Sequence, residues 1–368
     1  MNYMTVGLLL VGLILSIYLT HLVRKYSLLN NIVDIPNKRS SHLVVTPRGG
    51  GLAFVIVFLA SLLLLYFLRL IELRYFLALA GGGGLVSVLG WKDDKADLSP
   101  KVRAVFQFLA AAWAVFWLGG FSTLNIGYAE LQLSLIGSIL AVIGTVWMIN
   151  LYNFMDGIDG IAGTEAVSVG FICGSLLLWQ HSSGLAALSF LLAASVMGFL
   201  LWNWPPAKIF MGDVGSGFLG FIFAVMMMWS EQSKVIPLII WLLLLGVFII
   251  DATVTLVKRL RKREKIYEAH RSHVYQLAVQ AGYSHKQVTF TVLLVNIVLG
   301  MLAVLSLNYR TYLFGISIGT SIVLTGGHLI LGNYFNKRIK EKVPSQTADM
   351  IEKQSYGEAA ALIENPQD

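Results

Sequence analysis

From Tyr3 to about residue 333 the chain is a succession of apolar runs of roughly 16–22 residues, about the length of helix that crosses a hydrocarbon layer. Eleven such runs are expected, at 3–23, 50–68, 75–90, 104–119, 133–150, 165–179, 185–202, 216–230, 236–256, 288–307 and 311–333. Composition agrees: 57% of residues are hydrophobic and 13% charged, whereas a soluble domain carries about 25% charged residues. The fold class is therefore an all-α polytopic membrane protein of about 11 transmembrane helices. The glycine run Gly81–Gly84 weakens the third helix but permits close helix contact. The single cysteine, Cys173, lies inside an apolar run. It excludes an intramolecular disulfide and a thiolate zinc site. The first run reads as a span retained in the protein. Residues 1–335 are expected to form the membrane domain with its active-site loops. Residues 336–368 are expected to form a mobile cytoplasmic tail.

Lysine and arginine set the orientation. The loops 24–49, 91–103, 151–164, 203–215 and 257–287, with the tail, hold 23 of them, and the remaining loops hold 4. The positive-inside bias places the amino terminus outside and the carboxyl terminus in the cytoplasm. The net charge of +7 is thus mostly a topology signal, and nucleic acid is not an expected partner.

Four acidic, glycine-marked or histidine-bearing clusters fall in the basic loop set: Gly90–Asp94, Asn150–Gly160, Lys208–Ser216 and His270–His273. A carboxylate beside a hydrocarbon layer is costly unless it meets a cation. Span interiors are almost free of charge, with Asp251 the main exception, which favours a one-sided enzyme over a transporter. Asp93 and Asp94 follow a span directly and point about 100° apart on a helix, so they cannot serve one ligand alike. A solvated helix start explains that pair equally well. Asn150, Asn153, Asp156 and Asp159 recur every three residues, and Gly157 and Gly160 let backbone approach a ligand. Two amides and two carboxylates suit a nucleoside and a divalent cation, and magnesium shares oxygen ligands with substrate phosphates. Around Asn203, the residues Lys208, Phe210 and Asp213 suit phosphate, base stacking and metal respectively. His270, Arg271 and His273 follow the basic run Lys258–Lys265, and arginine and histidine bind diphosphate well. Asn37, Lys38, Arg39, Ser40, Ser41, His42 and Thr46–Gly51 form another basic, glycine-containing loop able to touch phosphate.

At these residues the chain resembles the polyprenyl-phosphate N-acetylhexosamine-1-phosphate transferases (glycosyltransferase family 4, O-antigen-initiating type). The resemblance runs from Asp34-Ile35-Pro36 to about Gly282, with the motifs in the family's order. It implies that Asp93 and Asp94 are the aspartate pair and that Asn150, Asn153, Asp156 and Asp159 form the nucleotide motif. It also implies that Asn203 and Phe210 meet the uridine end, that Asp213 binds the metal and that His273 opens the last cytoplasmic motif. Many relatives carry two further histidines where this chain has Tyr275 and Gln276. That departure points away from the phospho-MurNAc-pentapeptide transferase, towards members that handle N-acetylated 6-deoxyhexoses.

The resemblance further implies a reaction. An N-acetylhexosamine 1-phosphate (GlcNAc, or a 6-deoxy relative such as FucNAc or QuiNAc) passes from a UDP-sugar to undecaprenyl phosphate, releasing UMP and initiating O-antigen or other lipid-linked polysaccharide. Magnesium, with manganese as substitute, would be held by Asp213 with Asp93 or another carboxylate. Asp94 would act as base or positioning group, Arg271 and His273 would steady phosphate charge, and Lys208 would meet the substrate. Expected partners are UDP-N-acetylhexosamine, undecaprenyl phosphate and membrane lipids, with a homodimer as an open option. The expected place is a bacterial inner membrane, with the site facing the cytoplasm. A lipid-linked-sugar flippase would need charges along the spans. A CDP-alcohol phosphatidyltransferase would need an Asp-Gly-x-x-Ala-Arg start, which this sequence lacks.

Overall fold

The computed structural model describes residues 3–36, 44–96, 98–264 and 270–364. Asn37, Lys38, Arg39, Ser40, Ser41 and His42 of the first basic loop, and Lys265 of the later run, lie outside the described residues. Thirteen α-helices appear among those described: α1 (Tyr3–Leu29), α2 (Gly51–Phe67), α3 (Leu73–Ala96), α4 (Pro100–Leu118), α5 (Ser134–Met155), α6 (Ile161–Trp179), α7 (Ser183–Asn203), α8 (Asp213–Gln232), α9 (Leu238–Leu244), α10 (Gly246–Arg261), α11 (Val274–Gln280), α12 (His285–Asn308) and α13 (Leu313–Glu364). Two short antiparallel pairs accompany them, β1 (Val33–Asp34) with β2 (Thr46–Pro47), and β3 (Thr123–Asn125) with β4 (Glu130–Gln132).

Every expected run falls on a helix. Among the described residues, 9 helices are long and apolar enough to cross a membrane, or 10 with the bent pair α9–α10 counted as one span. The apolar α2 is shorter, at 17 residues. Two expectations change. The run 236–256, read as one span, breaks at Leu245 with a bend of 79°. Gly246 stands at that break, and a Cβ there would lie 2.9 Å from Leu324 of α13, so the bend and the approach of the last span share one residue. The second change concerns the edges of spans. Asp93 and Asp94 lie inside the last turns of α3, and Asn153 inside α5, beyond the ends of the expected runs 75–90 and 133–150. Helical hydrogen bonding outruns the apolar run because these polar side chains find partners on neighbouring helices. Helical backbone also continues through Glu364, across the stretch read as a tail.

The centre of the bundle is α8, with α3 and α5 packed along it, while α6 pairs with α7 and α7 with α1. Aromatic residues fill the interior: Tyr152 stacks on Phe223 at 5.5 Å, and Tyr75 stacks on Trp229 at 3.9 Å. The two loop sets separate cleanly. At one end Lys234 pairs with Glu130, Arg310 reaches Gln180, and Glu231 accepts from the backbone of Asn125 and Leu238. At the other end Arg48, Arg103, Asp159 and Tyr275 make the contacts described next. The acidic clusters all gather at this second end.

Candidate active site

A cavity of about 200 Å³ opens where the ends of α3, α5 and α8 meet the turns after α5 and α7 and the β1–β2 pair. Its polar lining is Asp34, Arg48, Asp94, Asn153, Asp156, Asp159, Asn203 and Asp213, with Phe210 at one side. Glycines make the convergence possible. Gly51 and Gly215 meet backbone to backbone, so a Cβ on Gly51 would collide with Gly215. Gly212 has φ +75°, and a Cβ there would also lie 2.5 Å from Asp94 Oδ2.

The aspartate pair divides. Asp94 Oδ1 accepts from Asp213 N at 3.0 Å, and Oδ2 accepts from Val214 N at 3.2 Å, so Asp94 caps the start of α8. Arg48 donates to the Asp94 carbonyl, and its Nε stands 3.9 Å from Oδ1. Asp93 does not line the cavity. Its Oδ1 accepts from Leu98 N at 2.6 Å, and its Oδ2 lies 3.2 Å from Arg103 Nη1. The same Arg103 nitrogen is 3.9 Å from Asp213 Oδ2, so Asp93 reaches the cavity through a shared cation.

The nucleotide motif divides too. Asn153 Nδ2 donates to Asp213 Oδ1 at 2.6 Å and to Ser216 Oγ at 3.2 Å. Asp156 ends α5 and faces the cavity. Burial, then the charges of Asp213, Asp94 and Asp159, push its carboxyl well above the usual carboxylate range. Asp159 is tied on both sides, to His285 Nδ1 at 3.3 Å and to Ala207 N at 3.1 Å. Asn150 turns away and exchanges hydrogen bonds with Gln107 of α4. Asn203 bridges the two turns, accepting from Gly160 N at 2.9 Å and donating to Ile209 O at 2.9 Å. Lys208 is exposed outside the cavity, with Nζ 5.6 Å from the Trp202 ring centroid.

The histidine loop sits one layer back. His273 is buried, and its Nδ1 is 3.3 Å from Asp251 Oδ1. Asp251 also accepts from Val274 N at 3.0 Å and Tyr275 N at 3.3 Å. The His273 ring stacks on Phe154 at 6.4 Å, next to Asn153. Arg271 stands at the loop, its carbonyl accepting from Gln280. Burial, with the charges of His273 and Arg259, lowers His270 to about 4, so it is neutral at pH 7. Tyr275 and Gln276 face inward: Tyr275 donates to Phe154 O at 2.8 Å, and Gln276 accepts from His273 N. Burial raises the Tyr275 phenol well above its ordinary value, which keeps it a donor. Neither side chain lines the cavity, but a Cβ on Gly157, which does, would collide with the Tyr275 hydroxyl and lie 3.0 Å from Gln276 Nε2, so the pair stands directly behind the cavity wall.

Sequence reasoning missed Arg103, Asp251 and His285 as site residues, and named Arg48 and Asp34 only within their loops. Arg103 carried a faint signal, as one of two cations, with Lys101, in the first turn of an otherwise apolar helix. Asp251 was visible as a charge within a span.

Chemically, the cavity gathers carboxylates, Arg48 and carboxamides at the polar end of an apolar bundle, with Arg103 behind Asp213 at 3.9 Å. Arginines suit diphosphate, and the crowded carboxylates suit a hard cation. The comparisons agree with that chemistry. Residues 75–231 match the model of glycosyl transferase family 4. The chain is 29% identical to a Bacillus subtilis (strain 168) protein named probable undecaprenyl-phosphate N-acetylglucosaminyl 1-phosphate transferase, over 80% of this chain and 83% of that relative. It is 28% identical to proteins of Yersinia pestis and Escherichia coli (strain K12) named undecaprenyl-phosphate alpha-N-acetylglucosaminyl 1-phosphate transferase, over 83% of this chain and 85% of each relative. The matched stretch spans α3 to α8 and so holds Asp93, Asp94, the nucleotide motif and Asp213, the residues on which the chain is similar to glycosyl transferase family 4 and to these N-acetylglucosaminyl 1-phosphate transferases.

Proposed function

We propose that this membrane protein transfers N-acetylglucosamine 1-phosphate from its UDP-sugar to undecaprenyl phosphate, releasing UMP. The observation that carries the reading is the single cavity where Arg48, Arg103, Asn153 and the carboxylates of Asp94, Asp156 and Asp213 converge at the end of α8. The sugar follows the relatives' names. Tyr275 and Gln276 stand behind the cavity wall at Gly157 and leave a 6-deoxy donor as the second reading.

An oxygen of the lipid phosphate attacks the β-phosphorus of the donor. A new P–O bond forms, the bond to the α-phosphate oxygen breaks, and UMP leaves with that electron pair. Two anions must meet, so neutralising charge is the main task. Arg48 and Arg103 stand at the cavity's edge to receive diphosphate oxygens. Asn153 orients Asp213, and Asn203 holds the turns that shape the uridine end beside Phe210. Asp94 acts as a positioning group, because both its oxygens are occupied by the amides of α8.

The donor set fits magnesium. Every candidate ligand is a hard oxygen, yet among the described residues no three His, Cys, Asp or Glu side chains enclose an ion by themselves. An ion held by one or two carboxylates and completed by substrate phosphates needs no larger cluster. Asp213 and Asp156 would hold it, rather than Asp93, whose oxygens serve Leu98 N and Arg103. When bound, the ion offsets phosphate charge as a Lewis acid.

Membranes containing the protein, given labelled UDP-N-acetylglucosamine and undecaprenyl phosphate, should yield an extractable labelled lipid and UMP. No labelled lipid from any of a panel of UDP-sugars would sink the reading. The lysine and arginine bias supports a cytoplasmic site in a bacterial inner membrane. Single cysteines placed at Ile158 or Val44 in a Cys173→Ser background should resist an impermeant reagent added outside intact cells. Labelling from outside would reverse the orientation.

A further inference from the structure

Beside the carboxylate cavity, and sharing no lining residue with it, a second cavity of about 510 Å³ lies among α10, α11, α12 and α13. Its shaft is walled mostly by valines and leucines such as Val247, Val292, Val295 and Leu324, with Asp251, His328, Gln287 and Thr291 also in the lining. Tyr283 and Tyr334 stand at its polar end. Arg338 Nη1 is 3.3 Å from both tyrosine hydroxyls, and the guanidinium lies 5.1 Å from the Tyr283 ring centroid. Among the described residues no carboxylate is paired with Arg338.

Gly327 lines this shaft, and nothing would meet a Cβ there within 4 Å; the same holds at Gly326. Glycine inside a helix weakens it relative to alanine. In a membrane helix glycine ordinarily permits close approach of a second backbone. No backbone approaches here, and the missing side chain instead keeps the shaft wide. Water does not dwell in an apolar shaft, and an unfilled one forfeits dispersion contacts. A hydrocarbon chain suits its apolar part, and a cation between membrane helices suits an anionic head group. The arginine fork supplies bidentate donors to phosphate.

We infer that this cavity holds one chain of an anionic phospholipid, with its phosphate at Arg338, Tyr283 and Tyr334. Asp251 and Tyr275, buried with His273, form this cavity's own wall toward the carboxylate cavity, so a phosphate at the rim of Arg338 and the two tyrosines meets none of the residues that line the carboxylate cavity. The occupant is therefore a resident lipid rather than the acceptor substrate.

The test uses the full chain, delipidated in detergent and then offered phosphatidylglycerol or phosphatidylcholine, with retained lipid counted by native mass spectrometry. Wild type should retain one phosphatidylglycerol per chain, in preference to phosphatidylcholine. Gly327→Phe should lose the retained lipid with a melting temperature no lower than that of wild type. Arg338→Gln should keep lipid but lose the preference. If Gly327→Phe fails to insert, Gly327→Leu carries the same expectation. Wild type without retained lipid, or a Gly327 variant that keeps wild-type stoichiometry, would overturn the inference. So would displacement of phosphatidylglycerol by undecaprenyl phosphate, which would assign the cavity to the acceptor. Retention is read without turnover, so failure here leaves the transferase reading untouched.

Discussion

Two helices of similar hydropathy live in opposite surroundings. In α8, 94% of the apolar stretch is buried within the protein, against 11% in the last span, 310–341. Asp213 begins the first of these, and its approach to α3 and α2 is fixed by close backbone contacts and by the Asp94 cap. The last span instead turns Val323, Ile322 and Ile330 outward and borders the phospholipid cavity. Chemistry that demands fixed carboxylates stands on the most enclosed of the candidate spans, while the last span presents most of its surface outward. Hydropathy alone cannot tell the two apart, because lipid and protein interior are equally apolar.

The contrast can be broken at three points. The largest effect is expected from Asp213→Asn. Transfer should fall more than ~100-fold at equal expression, measured as labelled lipid product, while melting temperature stays near that of wild type. Activity within tenfold of wild type would remove Asp213 from the chemistry. Next comes bulk added to each helix. A Cβ on Gly220 of α8 would run into the Met148 backbone, whereas at Gly319 of α13 nothing lies within 4 Å. Gly220→Leu should therefore cost about 1–3 kcal/mol or more, and Gly319→Leu close to nothing, by thermal unfolding in matched detergent. Equal effects would erase the distinction. The smallest change is Tyr275→Phe. Loss of the bond to Phe154 O should cost about 1 kcal/mol and leave the ranking of UDP-sugars unchanged. A reordered donor panel would return Tyr275 to the sugar.

The spans were legible because each apolar run has the length of a bilayer crossing, and every expected run is helical. The break at Leu245 was not, since Pro237 and Asp251 of the run 236–256 both stand away from it and only Gly246 adjoins it. The residues that converge were legible by type: Asn153, Asp156, Asn203 and Asp213 do face one cavity. What each is tied to was not. Arg48 meets Asp94 across 46 residues, Asn153 meets Asp213 across 60, and Asp159 meets His285 across 126. No local period encodes such pairings. Asn150 shares the three-residue spacing of its motif yet turns to Gln107, because its position on α5 faces α4 instead of α8. Lys208 has the right chemistry for phosphate but follows Trp202 to the surface.

Asp94 sits at the far end of α3 and grips the first amides of α8. One residue inserted into α3 ahead of it would advance that carboxylate by 1.5 Å and swing it by about 100°. The grip would be lost, although every apolar run would still be long enough to span. The length of α3 is thus held by a tolerance finer than any bilayer imposes: the bundle behaves as a ruler whose last graduation is the Asp94 carboxylate.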